Sequence, residues 1–376
     1  MSDRRARAVL LLLALPISIL ATGGALGAET ATVTILDLPF KARALRGPGS
    51  EVAVAAATSG LVPGARPGAA VAAGEEAADH APVAVVWGEG GGAALSLVDG
   101  AVRATPLAAD AVEGLVAAET PRGALPGIRR AVSGGLSAYL TGPTRAASGE
   151  GGPNASSLTV RERQPMGMSA DPKPVQISTS NVPAGPEAVF APRRPRATLI
   201  GGQPAFVAVT LRPSGKSALA LVGRKGVAWG LVAEGPLQEG GALKVAAVAD
   251  FAKSGQPQIA AVKAPDAAGT LQLWTVSGGA LSLAAEAPGY AEGADDSDLA
   301  ATVDRGGATE LALPVADRGA VALVSLKGGI AERARIPLPA PAGFGLAVLG
   351  KGAQARLLVG LADGRIAVAP IPDAKP

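Results

Sequence analysis

The chain has 376 residues, a formal net charge of +3 and no cysteine. With 48% apolar and 17% charged residues, its composition excludes an intrinsically disordered chain. The missing cysteines exclude a disulfide framework, thiolate metal sites, cysteine nucleophiles and c-type haem attachment.

The first residues read as a secretory signal. Arg4, Arg5 and Arg7 form a basic start, Val9–Ala21 an apolar run and Ala25–Ala28 a small-residue cleavage zone, the three parts of an export signal. The run is shorter than a membrane span, so no membrane span is expected once residues 1–28 are removed. That removal takes away three Arg and one Asp, leaving a charge of +1. Nucleic-acid binding, which depends on neutralising many phosphates, then loses its main support. The expected location is periplasmic or secreted.

Thr30–Leu38 alternates as a half-buried strand does. Val52–Ala57, Val83–Trp87, Ala94–Val98 and Ala101–Thr105 are predicted as the strands of one four-stranded unit. His80, the single histidine, stands in an Ala-rich segment and is expected in an exposed loop; a multi-histidine zinc site is excluded. Ala131–Leu140, Ser157–Arg163 and Val175–Ser180 are assigned to another unit. The stretch 142–174, rich in Gly, Ser, Pro and Asn, is predicted as a long inter-strand excursion. Arg129-Arg130 and Arg193-Arg194-Pro195-Arg196 are short basic clusters. The second is expected as an extended linker, with Arg193 and Arg194 as candidate contacts for an anionic surface.

From Ala197 the pattern becomes regular. Ala197–Ile200, Phe206–Leu211, Ala218–Val222 and Val227–Glu234 are four short strand-like runs separated by turns. Pro213–Ser217 ends like a phosphate-binding loop, but Thr210 stands where its first glycine belongs and a strand follows, so it is a turn. The next unit has Val245–Ala249, Ile259–Val262, Thr270–Val276 and a strand from Leu281, with Gly278-Gly279 suited to a tight hairpin. The loop Tyr290–Asp298 is strongly acidic; Asp295, Asp296 and Asp298 are its candidate ligand or partner contacts. Leu299–Val303, Glu310–Leu313, Ala320–Leu326 and Ile330–Pro337 repeat the order. Leu346–Leu349, Arg356–Gly360 and Arg365–Ile371 form a unit with one strand missing.

First strands thus recur at roughly 50-residue spacing, as in propeller repeats. No segment between strands has the length or periodicity of a crossover helix, which argues against a βαβ fold. The expected fold is all-β: a single β-propeller of six four-stranded blades, with seven as the alternative. The N-terminal strand would supply the missing strand of the last blade and close the ring. Residues 29–376 make this domain, with degenerate blades over 29–190 and regular ones over 191–376.

The segment Val248–Ala261, VADFAKSGQPQIAA, resembles the FG-GAP or VCBS-type repeat, in which an acidic turn joins two apolar strands. The resemblance covers about the C-terminal half of the chain. In that family the turn commonly holds Ca²⁺. Asp250 matches its first acidic position, but Ala252 and Ser254 replace the next two and Lys253 adds a positive charge. Asp304 survives in the following unit, beside Gly306 and Ala308. Since calcium takes six to eight oxygen ligands, no calcium, other metal or cofactor is expected, and Asp250 and Asp304 are remnants of the turn.

The resemblance implies an exported, non-enzymatic binding or scaffolding module of the bacterial cell envelope, with an envelope protein or a glycan as partner. A carbohydrate-active enzyme using carboxylates in the central channel is one alternative, and a structural envelope-assembly component another. No catalytic residue is assigned. Trp87, Trp229 and Trp274 are expected to pack between blades, with sugar stacking as the other reading.

Overall fold

The computed structural model describes residues 32–62, 83–147, 152–164, 175–264, 268–293 and 297–373. His80, Asp295, Asp296 and the signal segment lie outside these residues.

The fold is all-β, built from antiparallel sheets. Strand β1 (Thr34–Leu36) opens the chain. Next, β2 (Ala42–Arg46), β3 (Val83–Gly88), β4 (Gly91–Val98) and β5 (Ala101–Leu107) make a four-stranded meander in sequence order. Two helices decorate it, α1 (Glu51–Thr58) between β2 and β3 and α2 (Ala109–Ala117) after β5. The expectation of a strand over Val52–Ala57 is therefore corrected: this segment is helical, and the first strand of the unit is β2. The apolar run is Ala-rich, which favours helix, and Ser50 caps it by accepting from the Ala53 N–H at 3.1 Å. Val52, Ala53, Ala56 and Ala57 are buried at helical spacing against Val83 and Val85.

Strands β6 (Ala131–Ser133), β7 (Leu136–Thr144), β8 (Asn154–Arg163) and β9 (Ile177–Pro183) follow. The stretch 142–174 is thus only partly an excursion, because the ten-residue β8 runs through it, paired with β7 and β9. The two-residue β10 (Val189–Phe190) then bridges β8 to the next meander, β11 (Arg196–Ile200), β12 (Gln203–Leu211), β13 (Ser217–Lys225) and β14 (Ala228–Glu234). The bridge merges the two meanders into one nine-stranded sheet. Fully buried Phe190 anchors it in the core shared by the two.

Two further four-stranded meanders are β15 (Lys244–Ala249), β16 (Gln258–Lys263), β17 (Gly269–Ser277), β18 (Ala280–Tyr290), and β19 (Ala301–Asp304), β20 (Thr309–Pro314), β21 (Ala320–Ser325), β22 (Ala331–Pro337). Gly278 and Gly279 lie at φ 57° and 77° between the paired residues Ser277 and Ala280. Left-handed backbone at both positions is what a two-residue hairpin of the strand-compatible hand requires. The last sheet joins β23 (Ala342–Leu349), β24 (Arg356–Leu361) and β25 (Ile366–Pro370) to β1, in the order β1-β25-β24-β23. The register sets Thr34, Ile35 and Leu36 opposite Val368, Ala367 and Ile366.

The first strands of these sheets touch one another: β2 with β23, β23 with β19, β19 with β15, β15 with β11 and β11 with β6. The approach is close enough to select residue size. A Cβ on Gly345 of β23 would stand 2.8 Å from the Leu45 Cβ and 2.9 Å from the Leu45 carbonyl oxygen of β2. Between meanders the core is Val, Leu, Ile and Ala with few rings. Trp274 is fully buried among Val207, Leu219, Leu221 and Ile259, and Trp229 packs on Phe206 with ring centroids 5.8 Å apart.

Candidate functional site

A cavity of about 920 Å³ is lined by β2, β11, β15, β19 and β23, together with Arg129, which precedes β6. First strands are mostly apolar because they pack edge to edge, and Ala246, Ala247, Val248, Ala301 and Ala347 are among the residues that line the cavity. Charge enters at the strand starts. Arg196 opens β11, Lys244 opens β15 and Asp298 stands just ahead of β19.

Asp298 is the hub. It pairs with Arg129, with Arg196 at 3.1 Å and with Arg194 at 3.4 Å. Its backbone is held as well, since the Leu346 N–H donates to the Asp298 carbonyl at 2.8 Å. Through its carboxylate and its backbone carbonyl, this one residue therefore ties the segment before β6 and the start of β11 to the lead-in of β19 and a residue of β23. Arg46, on β2, donates to Glu119 at 3.1 Å, stacks over the Trp87 ring at 5.1 Å, and shares Glu119 with Arg129 at 3.9 Å. Burial alone would push the Asp298 carboxyl up. The guanidinium groups of Arg129, Arg196, Arg194 and Arg46 outweigh it and hold the group well below the usual carboxylate range. Burial and the neighbouring charge of Arg129 pull the Arg46 guanidinium down.

Beside the hub, fully buried Glu292 forms an ion pair with Lys244. Burial pushes the Glu292 carboxyl up to about 7, against the opposing pull of Lys244 and with a further push from Asp298. Because the folded value exceeds the ordinary glutamate value of about 4.3, the folded state binds the extra proton between them. Stability from this group is therefore present below pH ~4.3 and falls as pH rises toward 7. Thermal melts from pH 5 to pH 8 should show this decline in the native protein and a flatter profile in Glu292→Gln. An equal slope in both would refute the assignment.

The basic and acidic segments singled out in the sequence are thus brought together at one place. Arg194 and Asp298 are paired, and Arg193 is half-buried with its N–H donating to Ala191 at 2.7 Å. The linker expected over Arg193–Arg196 is corrected: Arg196 lies in β11 and is 7% exposed. The described ends of the acidic loop are also not solvated, since Glu292 is fully buried and the Asp298 side chain is 18% exposed. Arg46, Glu119 and Lys244 carry the site without having been marked by the sequence, and Glu292 was marked only as part of the acidic loop. For Arg46 and Lys244 the available signal was their place, a charged residue at the end of an otherwise apolar first strand.

At the other ends of β15 and β19 stand the worn turns. Asp250 accepts from the N–H groups of Ser254 at 2.8 Å and Gly255 at 2.6 Å, and Asp304 accepts from Gly306 at 2.8 Å. Lys253 reaches across to Asp304 at 3.6 Å, a side-chain ammonium joining neighbouring turns. No group of three or more potential metal-binding side chains occurs among the described residues. Asn154, in the triplet Asn154-Ala155-Ser156, is 2% exposed and its side-chain amide donates to the Ala146 carbonyl at 2.9 Å.

No protein-family profile matches the chain, and no curated protein is similar to it in sequence. Among solved structures it is similar to a Trypanosoma rangeli sialidase, at 12% identity and a TM-score of 0.42 over 82% of this chain and 60% of that one. It is also similar to Saccharomyces cerevisiae Sqt1, at 13% identity and a TM-score of 0.35 over 60% of this chain and 54% of that one. A Photorhabdus luminescens Tc holotoxin pore aligns at 15% identity and a TM-score of 0.38, over 92% of this chain and 15% of that one. The chain spans about three fifths of the length of the sialidase it matches, and likenesses this distant assign it no family.

Proposed function

We propose that the protein is an exported β-propeller of FG-GAP or VCBS type that serves as a binding or scaffolding module in the bacterial cell envelope. The ring has six blades: the four separate meanders, and the two halves of the nine-stranded sheet. Strand β1 closes it by completing the last blade. The observation that carries this reading is the convergence of first strands from every blade, or of the segment just before them, on one cavity. Such a ring presents a rigid frame and loop-rich faces, the form in which binding residues are ordinarily held.

The state of the acids favours binding over glycosidic chemistry. Hydrolysis of that kind needs one protonated carboxyl and one ionised partner flanking the bond. Asp298 is locked into ion pairs, and Asp250 is committed to its turn. Although burial alone would raise the Asp250 carboxyl, the turn N–H groups of Ser254 and Gly255 hold it below the ordinary value. Glu292 is pushed toward neutrality but lies outside the cavity lining.

Crosslinking in the producing cell, followed by mass spectrometry, should recover the same envelope protein repeatedly. Recovery of none, together with glycan hydrolysis by the purified protein, would replace the module reading with the enzymatic one. Calcium has no part in this function: EDTA is expected to leave the melting temperature unchanged, and a drop of several degrees would restore a metal to the turns.

A further inference from the structure

The β13–β14 hairpin and the end of β8 meet at one corner of the fold. Lys225 and Ala228 are paired, which leaves Gly226 and Val227 as a two-residue turn. Gly226, at φ 64°, supplies the left-handed first position that such a turn needs. Val227 thus stands at the apex, 93% exposed. Arg224 fixes the corner: its guanidinium pairs with Glu162 of β8, donates to the Val227 carbonyl at 2.9 Å and lies over the Trp229 ring at 5.1 Å. The residue after Glu162, Arg163, stands opposite Ile177 at the start of β9. Ile177 is 44% exposed and Val175, just before it in the chain, 41%. Arg163 and Lys225 are exposed as well.

Scattered exposed aliphatic residues are ordinary. Here, however, three of the eight large apolar residues exposed among the described residues stand on this one corner, beside exposed cations. A protein partner is ordinarily gripped by aromatic anchors in a patch from which lysine is depleted. At this corner the Trp229 ring lies under Arg224, aliphatic groups project instead, and a lysine adjoins the apex. Projecting apolar tips among cations suit a bilayer surface, where the tips enter the acyl boundary and Lys and Arg meet anionic headgroups. We propose that this corner docks the protein on an anionic lipid surface, with Val227, Ile177 and Val175 inserted shallowly and Arg163 and Lys225 at the headgroups. Lys225 serves both zones, its stem along apolar surface and its ammonium outward. This goes beyond the module reading, because it needs neither ring closure nor a protein partner.

Co-sedimentation of the purified protein with phosphatidylcholine vesicles, and with vesicles of equal parts phosphatidylcholine and phosphatidylglycerol, tests this. Binding to the anionic vesicles is expected, weakened by added salt, with little to the neutral ones. Lys225→Gln should weaken it about fivefold, the share of one cation near an anionic surface. Val227→Asp removes the apolar apex and adds repulsion, and should weaken it by about tenfold or more. Both residues are exposed at the turn, so circular dichroism should show both variants folded. Leu237→Asp changes an exposed apolar residue at the opposite end of β13, where Gln238 bridges to Ser217, and should bind as the native protein does. No binding to anionic vesicles, equal binding to neutral ones, affinity unchanged in both corner variants, or an equal loss in Leu237→Asp would overturn the proposal. Crosslinks from Lys225 to a protein, without vesicle binding, would overturn it in favour of that partner. Vesicle binding without a recurrent crosslinked envelope protein would leave this surface standing and remove the scaffold role.

Discussion

Asp298→Asn is expected to cost the fold about 3–5 kcal/mol, the loss typical of removing one partner from a buried ion pair. The substitution keeps the shape and deletes the charge, leaving Arg129, Arg194 and Arg196 facing a neutral amide. Chemical denaturation read by circular dichroism would give the number. A loss below about 1 kcal/mol, the range of surface pairs, would show that the hub does not tie the blades together. The pH dependence has a defined sign. The folded carboxyl lies well below its ordinary value, so its stabilisation is complete above the unfolded value of about 3.9. It is lost only as pH falls from there through the depressed folded value.

Trp274→Ala is expected to cost a similar ~3–5 kcal/mol, through lost burial and the cavity left behind. Its ring is fully buried where β17 meets the preceding blade, with one ring carbon 3.1 Å from where a Cβ on Gly235 would stand. The indole N–H donates to Gln272 at 3.2 Å, and Gln272 in turn donates to Gln238 at 3.1 Å. Trp274→Phe should cost less, since most of the apolar area survives and only the N–H contact is lost. With aromatics at 3% of residues, little else can fill the gap between blades. Near-equal stability of the native protein and Trp274→Ala would mean that blade contacts rest on the aliphatic side chains alone.

The regular half of the chain was legible because its punctuation is physical. Gly278-Gly279 admits the left-handed backbone of a tight hairpin, and the apolar runs of β15–β17 and β19–β21 have the length of strands rather than helices. The N-terminal half was harder for equally physical reasons. Val52–Ala57 has an apolar pattern compatible with both periods, and the Ser50 cap decided for helix. In the stretch 142–174, Gly and Pro suggested an excursion, yet the strand read at Ser157–Arg163 lies inside it and pairs with β7 and β9. The site was legible only in fragments. Arg194 and Asp298 stood out as charge clusters, but 104 positions separate them. Only the contacts between first strands bring them together, and no local pattern specifies which first strands line one cavity. Single charges such as Arg46 and Lys244 look like strand edges until the first strands they belong to are seen to touch one another.

The central claim is a closed ring around that cavity, and a disulfide at the closing seam tests it most directly. Ile35 of β1 and Ala367 of β25 are paired in the antiparallel register, which places their Cα atoms about 4.5–5.5 Å apart, within disulfide range. The native chain has no cysteine, so Ile35→Cys with Ala367→Cys introduces a single possible intramolecular bond. Mild oxidation of the folded double variant should form it nearly completely, with faster migration on non-reducing gels and a higher melting temperature than the reduced form. Failure to crosslink while the variant remains folded would contradict closure by β1, and with it the enclosed, charged centre on which the binding role depends.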